Sequence, residues 1–203
     1  MSIWFTPWVG NNYHDGGIFG KKILVIGNNH YCTDRASCAC CGVDGAGFSL
    51  DNNCYNFTSS IIEEYLAYKN GIAEFDSWMN TFSHFQNALD SKSPSCDIWN
   101  SLAFYNYLQT AINNDNNKTS SNAIYSLHIK DYHNSEECLW DVISQLMPDY
   151  IIIWGSIIRN HVGEEILKRT KSPVLFIRHP SIGFSTDYWH NVLSNFLNSN
   201  NNR

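Results

Sequence analysis

Apolar positions along this chain follow two rhythms. Unbroken runs at Lys22-Ile23-Leu24-Val25-Ile26-Gly27, Tyr150-Ile151-Ile152-Ile153-Trp154 and Pro173-Val174-Leu175-Phe176-Ile177 read as short strands buried on both faces. Gly27 ends the first run, where the backbone is expected to turn sharply. Helical spacing takes over between these runs. Ile61, Ile62, Tyr65 and Leu66 predict a helix from Thr58 to Lys69, with Ser60-Ile61-Ile62-Glu63 in the pattern of a capping box. Trp78, Phe82, Phe85 and Leu89 recur at steps of four, three and four, predicting a second helix capped by Asp76 and a stripe that faces the core.

Ser93-Pro94 opens a short helical turn through Trp99, and Ala103-Phe104-Tyr105-Asn106-Tyr107-Leu108 follows as an aromatic segment that suits a strand or a helix. Asn134-Ser135-Glu136-Glu137 begins a helix carrying Leu139, Val142, Ile143 and Leu146, which Pro148 ends. Ile157 to Lys168 is helical. A last helix carries Trp189, Val192, Leu193, Phe196 and Leu197, with Ser185 or Thr186 as its cap. Taking 103–108 as a strand, apolar strands alternate with helices, which predicts a parallel sheet covered on both faces and right-handed crossovers between strands. Ligands bind such sheets at the carboxyl ends of the strands. The residues just past those ends are polar and aromatic: Asn28-Asn29-His30-Tyr31, Asn106-Tyr107, Trp154-Gly155 and His179-Pro180-Ser181.

Composition narrows the class. A chain of 203 residues, 43% hydrophobic and 14% aromatic, has the length and apolar content of one domain with a real core. The polar run 113–122 and the Asn-rich tail 198–203 suit surface loops or frayed ends. No apolar run approaches the ~20 residues of a membrane helix. Neither a basic start nor an apolar signal core opens the chain, so the expected location is the cytoplasm. A formal net charge of -6 opposes nucleic-acid binding, because phosphate contacts call for a basic face. Lys21, Lys22, Lys168, Arg169, Lys171 and Arg178 nevertheless gather beside the predicted strands.

Those four strand-end segments together resemble the uracil-DNA glycosylase superfamily across most of the chain. Gly27-Asn28-Asn29-His30-Tyr31 is similar to the family's water-activating loop, written GQDPY or GINPG, and His179-Pro180-Ser181 is similar to its HPS motif. Tyr150 to Gly155 resembles a strand ending LWG, and Asn106 stands where an asparagine reads the base edge. The opening Trp4-Phe5-Thr6-Pro7-Trp8-Val9-Gly10 resembles a divergent bacterial branch. Two positions depart from the uracil enzymes: Asn29 replaces the activating Asp, and His30 stands in place of proline.

What the resemblance implies is an α/β domain over residues 1–203, three-layered αβα, with a central four-stranded parallel sheet and a Cys-rich insertion at about 32–54. Its implied activity is a DNA glycosylase that flips a uracil-like or modified base out of the stack and hydrolyses the N-glycosidic bond, in repair or in defence against foreign DNA. The implied catalytic residues are Asn29, whose carbonyl oxygen would orient a water against the sugar, and His179, which would donate a hydrogen bond to the departing base. Asn106 would pair with the base edge and Tyr31 would face the pyrimidine C5 position. Phe57, or alternatively Phe48, would stack on the base. Asn28, His30, Trp154 and Ser181 complete the implied substrate-binding set, with His30 an added titratable group or structural donor. Ile182, Gly183 and Phe184 would form the wedge that holds DNA open.

No cofactor is implied for catalysis. Cys32, Cys38, Cys40, Cys41 and Cys54 crowd one segment, and Cys38 and Cys41 have the two-residue gap of a zinc knuckle. Cys32 and Cys54 would complete a structural zinc site, with Cys40 or His30 as substitutes; free thiols and an iron-sulfur cluster are the alternatives. Two rival functions come from other classes. A binding module of the same fold would hold a nucleotide or flipped base without cutting it, as phage-host conflict could require. A small-molecule hydrolase acting on free nucleosides or nucleotides would need no basic DNA track.

Overall fold

A computed structural model describes residues 3, 5–32, 54–109, 111–113 and 129–199, and the site is framed by strands within them. In chain order the elements are β1 (Trp8–Val9), β2 (Ile23–Gly27), β3 (His30–Cys32), α1 (Phe57–Lys69), α2 (Met79–Leu89), α3 (Ser95–Asn100), β4 (Leu102–Asn106), β5 (Ala111–Asn113), α4 (Ile129–Leu146), β6 (Tyr150–Trp154), α5 (Ser156–Arg169), β7 (Val174–Ile177) and α6 (Thr186–Asn198). Strands β1-β4-β2-β6-β7 form one sheet in that order. The pairs β4/β2, β2/β6 and β6/β7 are parallel, whereas β1 runs antiparallel to β4. The main sheet is therefore five-stranded and mixed, not the four-stranded parallel sheet expected. A two-residue strand is too short to carry a readable period; β1 exists because Trp8 and Val9 pair with Phe104 and Ala103 and Trp8 Nε1 donates to the Trp99 carbonyl.

Alternation in β2 divides the core between the two faces. Ile23 and Val25 pack with Ile62 and Tyr65 of α1, Phe82 and Phe85 of α2, Trp99 of α3 and Leu193 of α6. Leu24 and Ile26 point the other way, toward Leu139 and Val142 of α4 and Ile158, Val162 and Ile166 of α5. Helices thus cover both faces, an arrangement compatible with a three-layer α/β fold. Every residue of β2, β4 and β6 is buried, which explains their unbroken apolar runs, while β7 at the edge is only partly buried. Burying each aliphatic side chain fully contributes about 1.5 to 3 kcal/mol.

Several helix starts differ from the sequence reading. Ser60 lies inside α1 with its Oγ donating to the Asn56 carbonyl, so it caps nothing. Asp76 contributes its backbone carbonyl to Met79 N–H, and its carboxylate accepts from Ser77 Oγ; α2 begins three residues later without a side-chain cap. Ser185 holds the cap position of α6 but makes no side-chain cap bond. Helix α4 begins at Ile129, ahead of the expected Asn134, since the apolar stripe that marks it in sequence starts only at Leu139. Segments 33–53, 114–128 and 200–203 lie outside the described residues and with them most of the Cys-rich insertion and the polar runs. Among the described residues, no helix is long and apolar enough to cross a membrane.

Candidate functional site

Strand β6 separates β2 from β7, yet the carboxyl tips of all three, together with that of β4, open onto one cavity of about 430 Å³. Asn28, Asn29 and Tyr31 reach it from the end of β2 and from β3, and Asn106 from the end of β4. Trp154 and Gly155 enter from β6, and His179 and Ser181 from the segment after β7. Trp78, Thr81 and Phe82 close it from the start of α2. Past the main sheet, the chains leaving β2 and β4 stay paired: Tyr107 N–H donates to the Gly27 carbonyl and Leu108 N–H to the Asn28 carbonyl. They then form the small parallel sheet β3/β5, with Tyr31 opposite Ile112. That extension holds the Asn28-Asn29 loop at the cavity.

Gly27 is where the sequence reading needs a different reason. It is the last residue of β2, paired with Asn106, and its φ is not positive, so no turn requires it. A Cβ there would stand 2.3 Å from Asn106 Oδ1 and 2.9 Å from Phe104 Cζ. Glycine makes room for the Asn106 amide to lie across the strand. Gly155 does need its conformation: with φ at +83° it turns the chain from β6 into α5, and a Cβ would sit 3.5 Å from that of His179.

Among the described residues the walls carry no Asp, Glu, Lys or Arg, and His179 and Tyr31 are their titratable groups. Burial lowers the His179 pKa below the ordinary 6.5, which keeps the ring neutral at neutral pH. It stands edge-on to Trp154 at 6.0 Å, and no described residue hydrogen-bonds it. A neutral imidazole in this position offers one N–H donor and one lone pair. Asn28 Nδ2 donates to Asn29 Oδ1 at 2.7 Å, which leaves that oxygen a second lone pair. Asn28 Oδ1 and Trp154 Nε1 are buried with no hydrogen-bond partner among the described residues, an acceptor and a donor in cavity-lining side chains.

Of the expected site residues, Asn28, Asn29, Tyr31, Asn106, Trp154, His179 and Ser181 all line the cavity, whereas His30 and Phe57 do not. His30 is buried behind Asn106, its ring 4.6 Å from Phe57 and 4.9 Å from Phe5, and burial pushes its pKa down to about 3. Phe57 packs against His30 with its ring tilted by 32° and does not line the cavity, so it offers a ligand there no platform. The aromatic surfaces of the cavity are instead Trp78, Phe82, Phe104 and Trp154. The helical stripe in which Trp78 and Phe82 recur reads as core, and Phe82 does serve both core and cavity; only the half-buried position of Trp78 ahead of the helix sets it apart.

The wedge segment divides. Phe184 is buried and stacked on Trp189, while Ile182 is 94% exposed. Between them a tight turn is fixed by Ser181 N–H on the His179 carbonyl and Phe184 N–H on the Ser181 carbonyl, and His84 Nδ1 meets the Pro180 carbonyl from α2. Of the expected zinc ligands, Cys38 and Cys41 lie outside the described residues, as do Cys40 and Phe48. Cys32 belongs to β3, and Cys54 is half-buried at the turn before α1. Among the described residues no three His, Cys, Asp or Glu gather as metal ligands.

A second cavity, of about 500 Å³, lies beside Lys21, where the chain enters β2 at the opposite end of the strands. Its Lys21 ammonium already contacts the Leu197 carbonyl and the Tyr150 ring, and its Asp90 carboxylate holds Lys92 and Ser93. No family model, curated protein or solved structure matches the chain.

Proposed function

We propose that the cavity at the strand tips is the base pocket of a DNA glycosylase of the uracil-DNA glycosylase type, which cuts the N-glycosidic bond of a flipped uracil-like or modified base. One observation carries the reading: Asn29, beyond β2, and His179, beyond β7, face a single cavity whose described walls bear no Asp, Glu, Lys or Arg, although β6 lies between their strands. Aromatic walls and amide groups without formal charge suit a neutral heteroaromatic ring.

Bond cleavage places positive charge on the sugar and negative charge on the departing base. Asn29 Oδ1, steadied by Asn28, orients a water toward the sugar with its remaining lone pair. The neutral His179 donates its N–H to a base carbonyl, and this bond strengthens as the oxygen becomes anionic. Asn106 reads the base edge, Tyr31 guards the mouth, and exposed Ile182 is the wedge that fills the gap left in the stack. An asparagine does not remove a proton, so the water is positioned and not activated by a base, and turnover is slower than with an aspartate at this position.

A second reading, a binder of the same bases without cleavage, is favoured by the net charge of -6 and by Asn29. Incubation with DNA carrying uracil, mismatched or hypermodified bases, followed by alkali, separates the two. Strand breaks are expected from the enzyme, saturable binding alone from the binder. His179→Ala should lower cleavage by about a hundredfold to a thousandfold, the usual cost of losing one donor to a developing anion. Cleavage unchanged in both Asn29→Ala and His179→Ala would remove the assignment.

A further inference from the structure

One carbonyl of the His179-Pro180-Ser181 turn is held from outside the turn. Ser181 N–H closes a three-residue turn on the His179 carbonyl at 2.8 Å. Phe184 N–H closes a four-residue turn on the Ser181 carbonyl at 3.1 Å, with Gly183 at φ +77° as its third residue. The Pro180 carbonyl lies between those two bonds and takes part in neither. Pro180 is buried, so its oxygen needs a partner, and His84 of α2 supplies one through Nδ1 at 3.2 Å. A carbonyl oxygen only accepts, so it is Nδ1 that carries the hydrogen.

We propose that His84 is a positioning residue for His179: its Nδ1–H on the Pro180 carbonyl locks the turn and thereby fixes the separation, across the cavity, of His179 from the aromatic wall that α2 supplies. The inference rests on reading the cavity as a base pocket and extends that reading to a residue outside the cavity walls. Proline fixes φ, which leaves ψ of Pro180 as the free rotation between His179 and Ser181. The carbonyl turns with ψ, so a bond to its oxygen opposes that rotation. No described residue hydrogen-bonds the His179 ring, and its aim therefore depends on the backbone that carries it.

The packing around His84 supports this role. Thr81 and His84 stand three apart on α2 and share one face of it; Thr81 lines the cavity while His84 reaches the turn. The His84 ring lies parallel to Phe184 at 6.5 Å, and Phe184 lies parallel to Trp189 at 5.9 Å, so the far end of the turn is seated on the same residue. One helical turn further, His190 Nδ1 of α6 donates to the Ala88 carbonyl at 3.1 Å, which ties α2 to the helix that follows the turn. From β6, Trp154 meets the His179 ring edge-on and Gly155 backs its Cβ. His179 is thus held between β6 and α2, and His84 makes the α2 side of that grip.

Two substitutions separate the bond from the packing. His84→Phe keeps a ring beside Phe184 and removes the donor, whereas His84→Asn gives up the ring and retains an N–H donor. On oligo-deoxyadenosine strands carrying one deoxyuridine, His84→Phe should lower kcat by about tenfold to a hundredfold with KM within about threefold of wild type, the scale of a small misplacement of a reacting group. His84→Asn should stay within about threefold of wild type in both constants. A folded His84→Phe protein with wild-type kcat, or a His84→Asn protein as slow as His84→Phe, would overturn the proposal. Two measurements need no substrate. In nitrogen-15 spectra of the full chain at pH 8, His84 Nδ1 should resonate as protonated, and the Ser181 amide should exchange with solvent about tenfold faster in His84→Phe than in wild type or His84→Asn. An unprotonated Nδ1, or equal exchange in all three proteins, would also overturn it. A wild-type protein that cleaved no strand would overturn the glycosylase reading, while the ring spectrum and amide exchange would still decide whether His84 locks the turn.

Discussion

Replacing Gly27 by alanine tests the packing on which the cavity wall depends. The new methyl would stand 2.3 Å from Asn106 Oδ1 and 2.9 Å from Phe104 Cζ, roughly 1 Å inside ordinary contact distance. Backbone strain plays no part, because the φ of Gly27 is not positive. Overpacking of a core site costs about 1 to 3 kcal/mol. Relief by swinging the Asn106 amide away pulls Nδ2 from its place 3.1 Å from the His30 ring and leaves a buried polar group unpaired, again about 1 to 3 kcal/mol. The two costs overlap, so Gly27→Ala should lose about 2 to 4 kcal/mol, measured as a shift in urea midpoint at constant slope. For a chain of this size that corresponds to a fall in melting temperature of roughly 5 to 15 °C. In an Asn106→Ala background the closest of these contacts is gone and that with the Phe104 ring remains, and the cost should drop by at least about 1 kcal/mol, since residues in contact are not additive. A Gly27→Ala protein within about 0.5 kcal/mol of wild type, or an equal cost in both backgrounds, would refute the reasoning.

Acid should destabilise the fold through His30. With a folded pKa near 3 against 6.5 in the unfolded chain, the unfolded state alone takes up the proton as pH falls through that window, so stability declines on acidification. Between about pH 7 and pH 5 the loss should be about 2 kcal/mol, and His30→Phe should lack it; urea midpoints that fall equally with pH in both proteins would count against the buried neutral ring. His179, shifted in the same direction, stays in both proteins and cancels from the comparison. The loop after β7 should respond unevenly to truncation: Ile182→Ala within about 0.5 kcal/mol of wild type, Phe184→Ala lower by about 3 to 5 kcal/mol. Similar melting temperatures for these two variants would contradict the division of that loop. Trp78→Ala should weaken binding of the deoxyuridine strand by about tenfold, since stacking on an aromatic side chain is worth about 1 to 3 kcal/mol per base; unchanged affinity would exclude Trp78 as the platform.

Local pattern alone determined a good deal. The runs at 23–26, 150–154 and 174–177 read as strands of a covered sheet because they are apolar without a break, although β7 at the edge is only partly buried, and the spacing of Ile62 with Tyr65, or of Phe82 with Phe85 and Leu89, suits a helix with one buried face. Polar residues directly after such strands also marked the cavity in advance, since parallel strands in one sheet end on the same side. Seven of the nine residues expected there, Asn29 and His179 included, do line it.

Tertiary structure decided whatever depends on a partner distant in sequence. Trp8 and Val9 become a strand only because Phe104 and Ala103 offer an edge. Phe57 packs against His30 instead of lining the cavity, and His30, read in sequence as an added titratable group or structural donor, lies buried and neutral next to Asn106, through burial that no spacing records. Gly27 signals a turn when read alone and a steric allowance once Asn106 lies across it. Period and composition report how a residue relates to its immediate chain neighbours, whereas burial, ring contacts and amide orientation arise when segments some 76 residues apart, as His30 and Asn106 are, close on one another.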